Sequence, residues 1–334
     1  MKFLKEESIT AKKVIVRGDL DVPLENGQIE DATRIEKTVG TLKNLLNNQN
    51  QIFLISHVGR PKGRDQNFSF KLLLPKLEEL LGEKVAFKED FDQPAEGKIV
   101  LLENLRFWPE EEANDPEFAK KLASFGEIYV NECFSVAHRN HASVAFLPTF
   151  LPCYAGLELG MEVTELQKIL ENPERPLVAI IGGAKLETKL PAITNLAKVA
   201  DKVLVGGRLM FELGETTLPE NVLVATDNID QKDIGPESVE LFKKEIDKAK
   251  MIVWNGPLGL FEEKEYSLGT KKVAKMVADS VAYSLVGGGD TIAALKEIGM
   301  LDKVDFVSVG GGAMLEFLEG KKLPALVALG FYRV

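Results

Sequence analysis

Short runs of consecutive apolar residues punctuate this chain, separated by longer stretches in which apolar positions recur every three or four residues. The runs are Val14–Val16, Ile52–Ile55, Ile99–Leu102, Ile128–Val130, Leu177–Ile181, Val203–Val205, Met251–Trp254, Val281–Val286 and Phe306–Val309. Unbroken apolar runs suit strands covered on both faces, because alternation is needed only where one face meets water. Between them, Phe70–Leu81 and Ser238–Ala249 carry the spacing of amphipathic helices. Strand and helix in alternation predict an α/β fold of doubly wound, mostly parallel, Rossmann-like sheets. Ligands of such sheets lie beyond the carboxyl ends of the strands, so the residues after each run are the ones to read for chemistry.

Those residues differ between the two halves. The first four runs lead to Arg17 and Asp19, to His57 and Arg60, to Glu103 and Arg106, and to His138 and Arg139. The later runs lead to Gly182-Gly183, Gly206-Gly207, Gly256, Gly287-Gly288-Gly289 and Gly310-Gly311-Gly312. Of the 28 glycines, 18 lie beyond residue 170, which marks the second half as a different kind of site. A length of 334 residues also exceeds one ordinary core. Two domains are therefore predicted, 1–155 and 176–318, joined by a hinge helix within 156–175. Glu158–Leu170 reads as helical, and Asn172-Pro173 and Arg175-Pro176 end it.

Composition narrows the partners. The chain is 45% hydrophobic and 28% charged, with a formal net charge of −10. So acidic a chain is a poor general binder of nucleic acid or an anionic membrane, and an anionic ligand has to be met by a local cluster of Lys and Arg. No apolar run is long enough to span a bilayer, and the most apolar stretch, Val144–Leu159, is broken by Pro148 and Pro152. The opening MKFLKEES lacks the apolar core of a secretion signal. Cys133 and Cys153 have no metal-type spacing and make no disulfide framework, so a cytoplasmic location is expected.

Arginines gathered at strand ends suit a carboxylate or phosphate, which guanidinium groups grip in two-pronged fashion. One such arginine is an ordinary surface charge; four strand ends facing one sheet edge are not. Glycines after strands let backbone N–H groups approach phosphate oxygens, and a following helix adds its positive end. Neither the dinucleotide glycine fingerprint nor the P-loop pattern is present, so the glycines do not name the nucleotide. Lys185 and Lys189, four apart after Gly182-Gly183, are expected to share a helix face and offset phosphate charge. Asp290, after three glycines and before Thr291, reads either as an N-cap or as a ligand for a hard cation. His138 and His141 lack a third partner, which favours packing or anion binding over a metal. Two anion sites on separate sheets suit phosphoryl transfer, in which hinge closure excludes water.

Several segments together resemble phosphoglycerate kinases. They are 14–23 (VIVRGDLDVP), 56–61 (SHVGRP), 101–107 (LLENLRF), 129–139 (YVNECFSVAHR), 182–185 (GGAK), 254–262 (WNGPLGLFE), 287–290 (GGGD) and 310–313 (GGGA), in the family's order and over nearly the whole chain. The resemblance implies phosphoryl transfer from ATP to the carboxylate of 3-phosphoglycerate, giving 1,3-bisphosphoglycerate and ADP, with Mg²⁺. It implies that Asp19, Asp21, Arg34, His57, Arg60, Arg106 and Arg139 hold the phosphoglycerate. Arg34, Lys185, Lys189 and the Gly311 and Gly312 amides would attend the transferring phosphoryl group. Gly182, Gly183, Gly206, Gly207, Asn255, Pro257, Gly259, Gly288, Gly289 and Thr291 would line the nucleotide slot, Glu262 would bond the ribose and Asp290 the metal. The resemblance also implies a monomer whose residues 319–334 pack back on the first domain.

Departures from the family pattern are Asp21 for Asn, Glu132-Cys133 for Asp-Ala, Arg208 for a third glycine, and Phe306 and Val309 for His and Thr. The largest is the loss of a helical insert between Glu215 and Asp233, from which a more open adenine side is expected. A kinase of another small acid and a non-catalytic relative are the alternatives.

Overall fold

The computed structural model describes residues 1–91 and 96–332, and the chain divides into two compact units. Unit 1 comprises residues 1–162 together with the stretch from Lys322 onward, and unit 2 comprises Val163–Lys321. The chain crosses between them within the helix Leu157–Glu171 and again after Lys321.

Unit 1 is built on a six-stranded sheet. Its strands are β1 (Lys13–Arg17), β2 (Gln51–Ile55), β3 (Val85–Lys88), β4 (Ile99–Leu102), β5 (Ile128–Asn131) and β6 (Cys153–Ala155). Their spatial order is β3-β4-β2-β1-β5-β6, and every pairing is parallel. The apolar runs fill the centre: Val14, Val16, Ile52, Leu54, Ile99, Leu101 and Val130 pack into one cluster with Ile35, Leu42 and Leu45 of the helix α1 (Thr33–Asn47). The stretch from Lys322 contributes a short helix, Pro324–Ala328, that buries Ala325 and Leu326; the Ala325 amide donates to the Ala137 carbonyl at 3.1 Å.

Unit 2 repeats the plan with β7 (Leu177–Ile181), β8 (Lys202–Val205), β9 (Val222–Val224), β10 (Met251–Asn255), β11 (Tyr283–Gly287) and β12 (Phe306–Ser308). The order β9-β8-β7-β10-β11-β12 is wholly parallel. The chain moves outward from β7 to β9 and then returns to the other side of β7 as β10. The crevice between β7 and β10 is thus the topological switch point, where open α/β sheets place ligands.

Three strands escaped the sequence pattern: β3, β6 and β9. All three are sheet edges, with no full strand on one flank and mostly half-buried residues, so no unbroken apolar run is required. The predicted helix over Phe70–Leu81 is split into a single 3-10 turn, Phe70–Leu72, and a helix, Leu74–Leu81, because Pro75 is tolerated only in a helix's first turn. The Glu215–Asp233 stretch, where a helical insert was expected to be missing, contains the edge strand β9 and then a tight hairpin pairing Asn228–Ile229 with Asp233–Ile234.

Candidate active site

In unit 1 the carboxyl end of β1 gathers the charged residues. The loop after Arg17 is pinned in place: the Asp19 amide donates to Thr38 Oγ1 of α1 at 3.0 Å, and the Leu20 amide to Ser56 Oγ beyond β2 at 3.2 Å. Helix α1 presents Arg34 in its first turn, with Nη1 3.0 Å from the Asp21 carbonyl, 3.5 Å from Asp21 Oδ2 and 3.7 Å from Asp19 Oδ1. Asp19 is buried and neither carboxylate oxygen accepts a hydrogen bond, so Arg34 is its nearest countercharge. Asp21 accepts from the Gly59 amide at 2.9 Å, and its Oδ2 lies 3.5 Å from His57 Nε2. Burial works against its charge, but the His57 bond, the Gly59 amide and Arg34 outweigh that and hold the carboxyl well below the usual range.

The side chains next to this group are cationic. Arg106 Nη1 donates to the Gly59 carbonyl at 2.6 Å, and its Nε faces Glu112 at 3.1 Å. Burial pushes His141 down to about 3, reinforced by repulsion from Arg106, Arg17, His57 and Arg139. His141 is therefore a neutral member of the basic cluster, which its spacing from His138 did not reveal. Arg60 and Arg139 are exposed. Among the described residues no group of three or more His, Cys, Asp and Glu side chains is arranged to hold a metal ion.

In unit 2 a cavity of about 450 Å³ opens at the β7/β10 switch point. Its wall brings together Gly183, Lys185, Lys189, Asn255, Pro257, Gly288, Gly289, Asp290, Thr291, Gly311 and Gly312. Buried hydrogen bonds hold this wall: Gly256 N donates to Thr291 Oγ1 at 2.7 Å, and Asn255 Nδ2 to the Gly287 carbonyl at 3.0 Å. Lys189 donates to Asn255 Oδ1. Burial lowers its ammonium to about 8, although Asp290 and Glu319 favour the charge.

Several expectations change at this level. Lys185 is not on the helix that carries Lys189; it precedes Leu186–Leu196 in extended conformation, so the two lysines reach the cavity from different backbone geometry. Asp290 is not the N-cap, a place taken by Gly288 at φ 98°; it lies exposed in the first turn of Gly289–Glu297. Gly182 does not line the cavity. A Cβ there would stand 2.2 Å from the Pro257 carbonyl oxygen, so glycine is required where the two switch-point loops cross. Gly206, Gly207, Gly259 and Glu262 are also absent from the wall. Gly259 packs instead on Asp233, whose Oδ1 would be 2.1 Å from an added Cβ. Arg208 is mostly exposed and faces Glu212 at 3.4 Å.

Comparison with known proteins agrees with this geometry. A family model described as phosphoglycerate kinase matches residues 4–218 and 214–321. The chain belongs to the phosphoglycerate kinase family. It is 40% identical to the phosphoglycerate kinase of Dictyoglomus turgidum over 385 aligned positions, covering 98% of this chain and 97% of the relative. It is 39% identical to that of Thermosipho africanus over 389 positions, with the same coverage. The solved phosphoglycerate kinase of Coxiella burnetii superimposes with a TM-score of 0.88 at 33% identity, covering 98% of each chain. These alignments are longer than the 334 residues of this chain, so the relatives carry residues it lacks. The two stretches matched by the family model meet at 214–218, where the missing insert was expected to begin.

Proposed function

We propose that this chain transfers the γ-phosphoryl group of ATP to the carboxylate of 3-phosphoglycerate, reversibly, forming 1,3-bisphosphoglycerate and ADP. The observation that carries this reading is the cavity at the unit 2 switch point, where Lys185, Lys189 and Asp290 meet the glycine turns. A carboxylate oxygen of the acid forms the new bond to phosphorus as the bond to the ADP oxygen breaks. The nucleophile is already an anion, so no strong general base is needed.

Asp19, Asp21, Arg34, His57, Arg60, Arg106 and Arg139 hold the acid, Arg34 and Arg106 answering its negative charge. Lys185, Lys189 and the Gly311 and Gly312 amides neutralise the transferring phosphoryl oxygens. Gly183, Asn255, Pro257, Gly288, Gly289 and Thr291 form the nucleotide wall, with Gly182, Gly206, Gly207 and Gly259 shaping it through backbone packing and Glu262 reaching the ribose. A single exposed carboxylate beside a phosphate cavity fits Mg²⁺, which is bound through one or two carboxylates and the substrate's own phosphates. Asp290 would hold that ion, and the ion would offset phosphate charge. We assign the chain a monomeric state.

A coupled assay of ADP release with ATP, Mg²⁺ and 3-phosphoglycerate tests the reading. Turnover that requires 3-phosphoglycerate supports it. Absence of turnover, or equal turnover with unrelated small acids, refutes it.

A further inference from the structure

Arg17 has no part in the proposed chemistry, yet it is among the most completely buried large side chains of unit 1. Every nitrogen of its guanidinium is used. Nη1 donates to the Gly18 carbonyl at 2.7 Å and to Ser56 Oγ at 3.0 Å, and Nε donates to Ser143 Oγ at 3.1 Å. Ser143 Oγ in turn donates to the buried Glu111 at 2.6 Å, and the Ser143 amide does so at 2.9 Å. These contacts clamp the guanidinium in one orientation. Its remaining nitrogen, Nη2, lies 2.9 Å from His57 Nδ1.

Arginine stays protonated in proteins and its N–H groups only donate. His57 Nδ1 must therefore accept, and the single ring proton of the neutral imidazole falls on Nε2. That nitrogen faces Asp21 Oδ2 at 3.5 Å, on the side of the pocket where Arg34 also reaches Asp21. We propose that Arg17 is a positioning residue of the acid-binding pocket: it locks His57 as a neutral Nε2–H donor aimed at the place where the acid's oxygen atoms bind. A second proton would have to enter at Nδ1, against Arg17 itself.

The charges around the ring agree. Burial is the largest influence keeping His57 neutral, and it holds the ring down to about 4. Asp21 favours a proton, while Arg17 and Arg106 oppose one, and His141 is close enough to feel the ring's charge. The pocket thus keeps one neutral donor among its permanent cations across the range in which an ordinary histidine changes charge.

This inference rests on the reading of the unit 1 pocket as the acid site, and the experiment separates the two. Long-range ¹H–¹⁵N spectra of the labelled full chain report which ring nitrogen carries the proton, and His57→Gln assigns the signal among the three histidines. The expected pattern is protonated Nε2 and bare Nδ1, unchanged from pH 8 to pH 5. A proton on Nδ1, or a doubly protonated ring at pH 6, overturns the proposal without any variant having to fold. In Arg17→Met, which removes both the donor and the charge, His57 is expected to become a tautomer mixture that titrates nearer the ordinary value of about 6.5. The KM for 3-phosphoglycerate is expected to rise about tenfold with kcat nearly unchanged. Lowered thermal stability with the wild-type tautomer and KM would make Arg17 purely structural and overturn the proposal. A retained wild-type tautomer that 3-phosphoglycerate does not perturb would instead remove the pocket's reading, and the positioning role with it.

Discussion

Glu132 offers the sharpest test of the electrostatics of unit 1. It lies just past β5 and is fully buried, with Oε1 accepting from the Glu158 amide at 3.0 Å, at the start of the helix that leads into unit 2. A Cβ on Gly156 would sit 1.7 Å from Oε2, so the carboxyl is pressed against the backbone there. Burial, with the nearby charge of Glu158 adding to it, pushes Glu132 up to about 8, against the lowering pull of Thr41 and the amides of Glu158 and Leu159. The folded protein thus keeps this carboxyl protonated at neutral pH, while the unfolded chain ionises it near the ordinary value of 4.5.

A raised folded value contributes stability at low pH and loses it as pH climbs from the unfolded to the folded value. The interval is about 3.5 units, or about 5 kcal/mol at 1.36 kcal/mol per unit, of which about 2–3 kcal/mol is lost between pH 6 and pH 9. Glu132→Gln keeps the shape and the acceptor but has no charge to acquire. Trp108 in unit 1 and Trp254 in unit 2 are the only tryptophans, so urea unfolding followed by fluorescence in a Trp254→Phe background isolates unit 1. The variant's stability relative to the parent is expected to grow by about 2–3 kcal/mol between pH 6 and pH 9. Parallel pH dependence of the two proteins would mean that Glu132 is already ionised when folded, and would refute the reasoning.

Lys189, lowered to about 8, should lose its charge as pH rises through that value, so ATP affinity should fall about tenfold between pH 7.5 and 9.5 in a direct titration; a flat profile would remove it from the phosphate site. Lys189→Met should abolish that pH dependence and lower kcat/KM by about a hundredfold or more in the coupled assay. Asp21→Asn removes a negative charge beside Arg34 and His57 while keeping an acceptor for the Gly59 amide. The KM for 3-phosphoglycerate should fall about fivefold, equivalent to about 1 kcal/mol at this half-exposed site; a higher KM would show that the site needs the negative charge of Asp21 and not only its acceptor oxygen. Gly182→Ala forces a methyl group against the Pro257 carbonyl and should destabilise unit 2 by about 3 kcal/mol or more, read as a lowered Tm.

The sequence displayed what is periodic or repeated and concealed what depends on a crossing. The central strands were legible because burial on both faces demands unbroken apolar runs; β3, β6 and β9 were not, since an edge makes no such demand. The charged cluster of unit 1 was partly visible beforehand, since Asp19, His57 and Arg106 follow strand runs and Asp21 and Arg34 lie in segments that match the family. Arg17 stood in plain view at a strand end, but only the fold shows it turned inward to Ser56, Ser143 and His57 instead of outward to a ligand. The glycines carried two meanings that spacing cannot separate. Gly183 and Gly288 line the cavity, whereas Gly182 exists so that two loops can cross. Lys185 and Lys189 looked like helical neighbours because the sequence does not reveal that the helix begins only at Leu186.

The division of the chain sets an order of events during synthesis. Unit 1 needs the segment from Lys322, whose Leu323, Ala325 and Leu326 are fully buried, yet that segment leaves the ribosome after all of unit 2. The usual sequence, in which the amino-terminal domain finishes first, is therefore reversed. Residues 1–162 must wait with an uncovered apolar surface while the middle of the polypeptide matures, and the first domain to begin is the last to be completed.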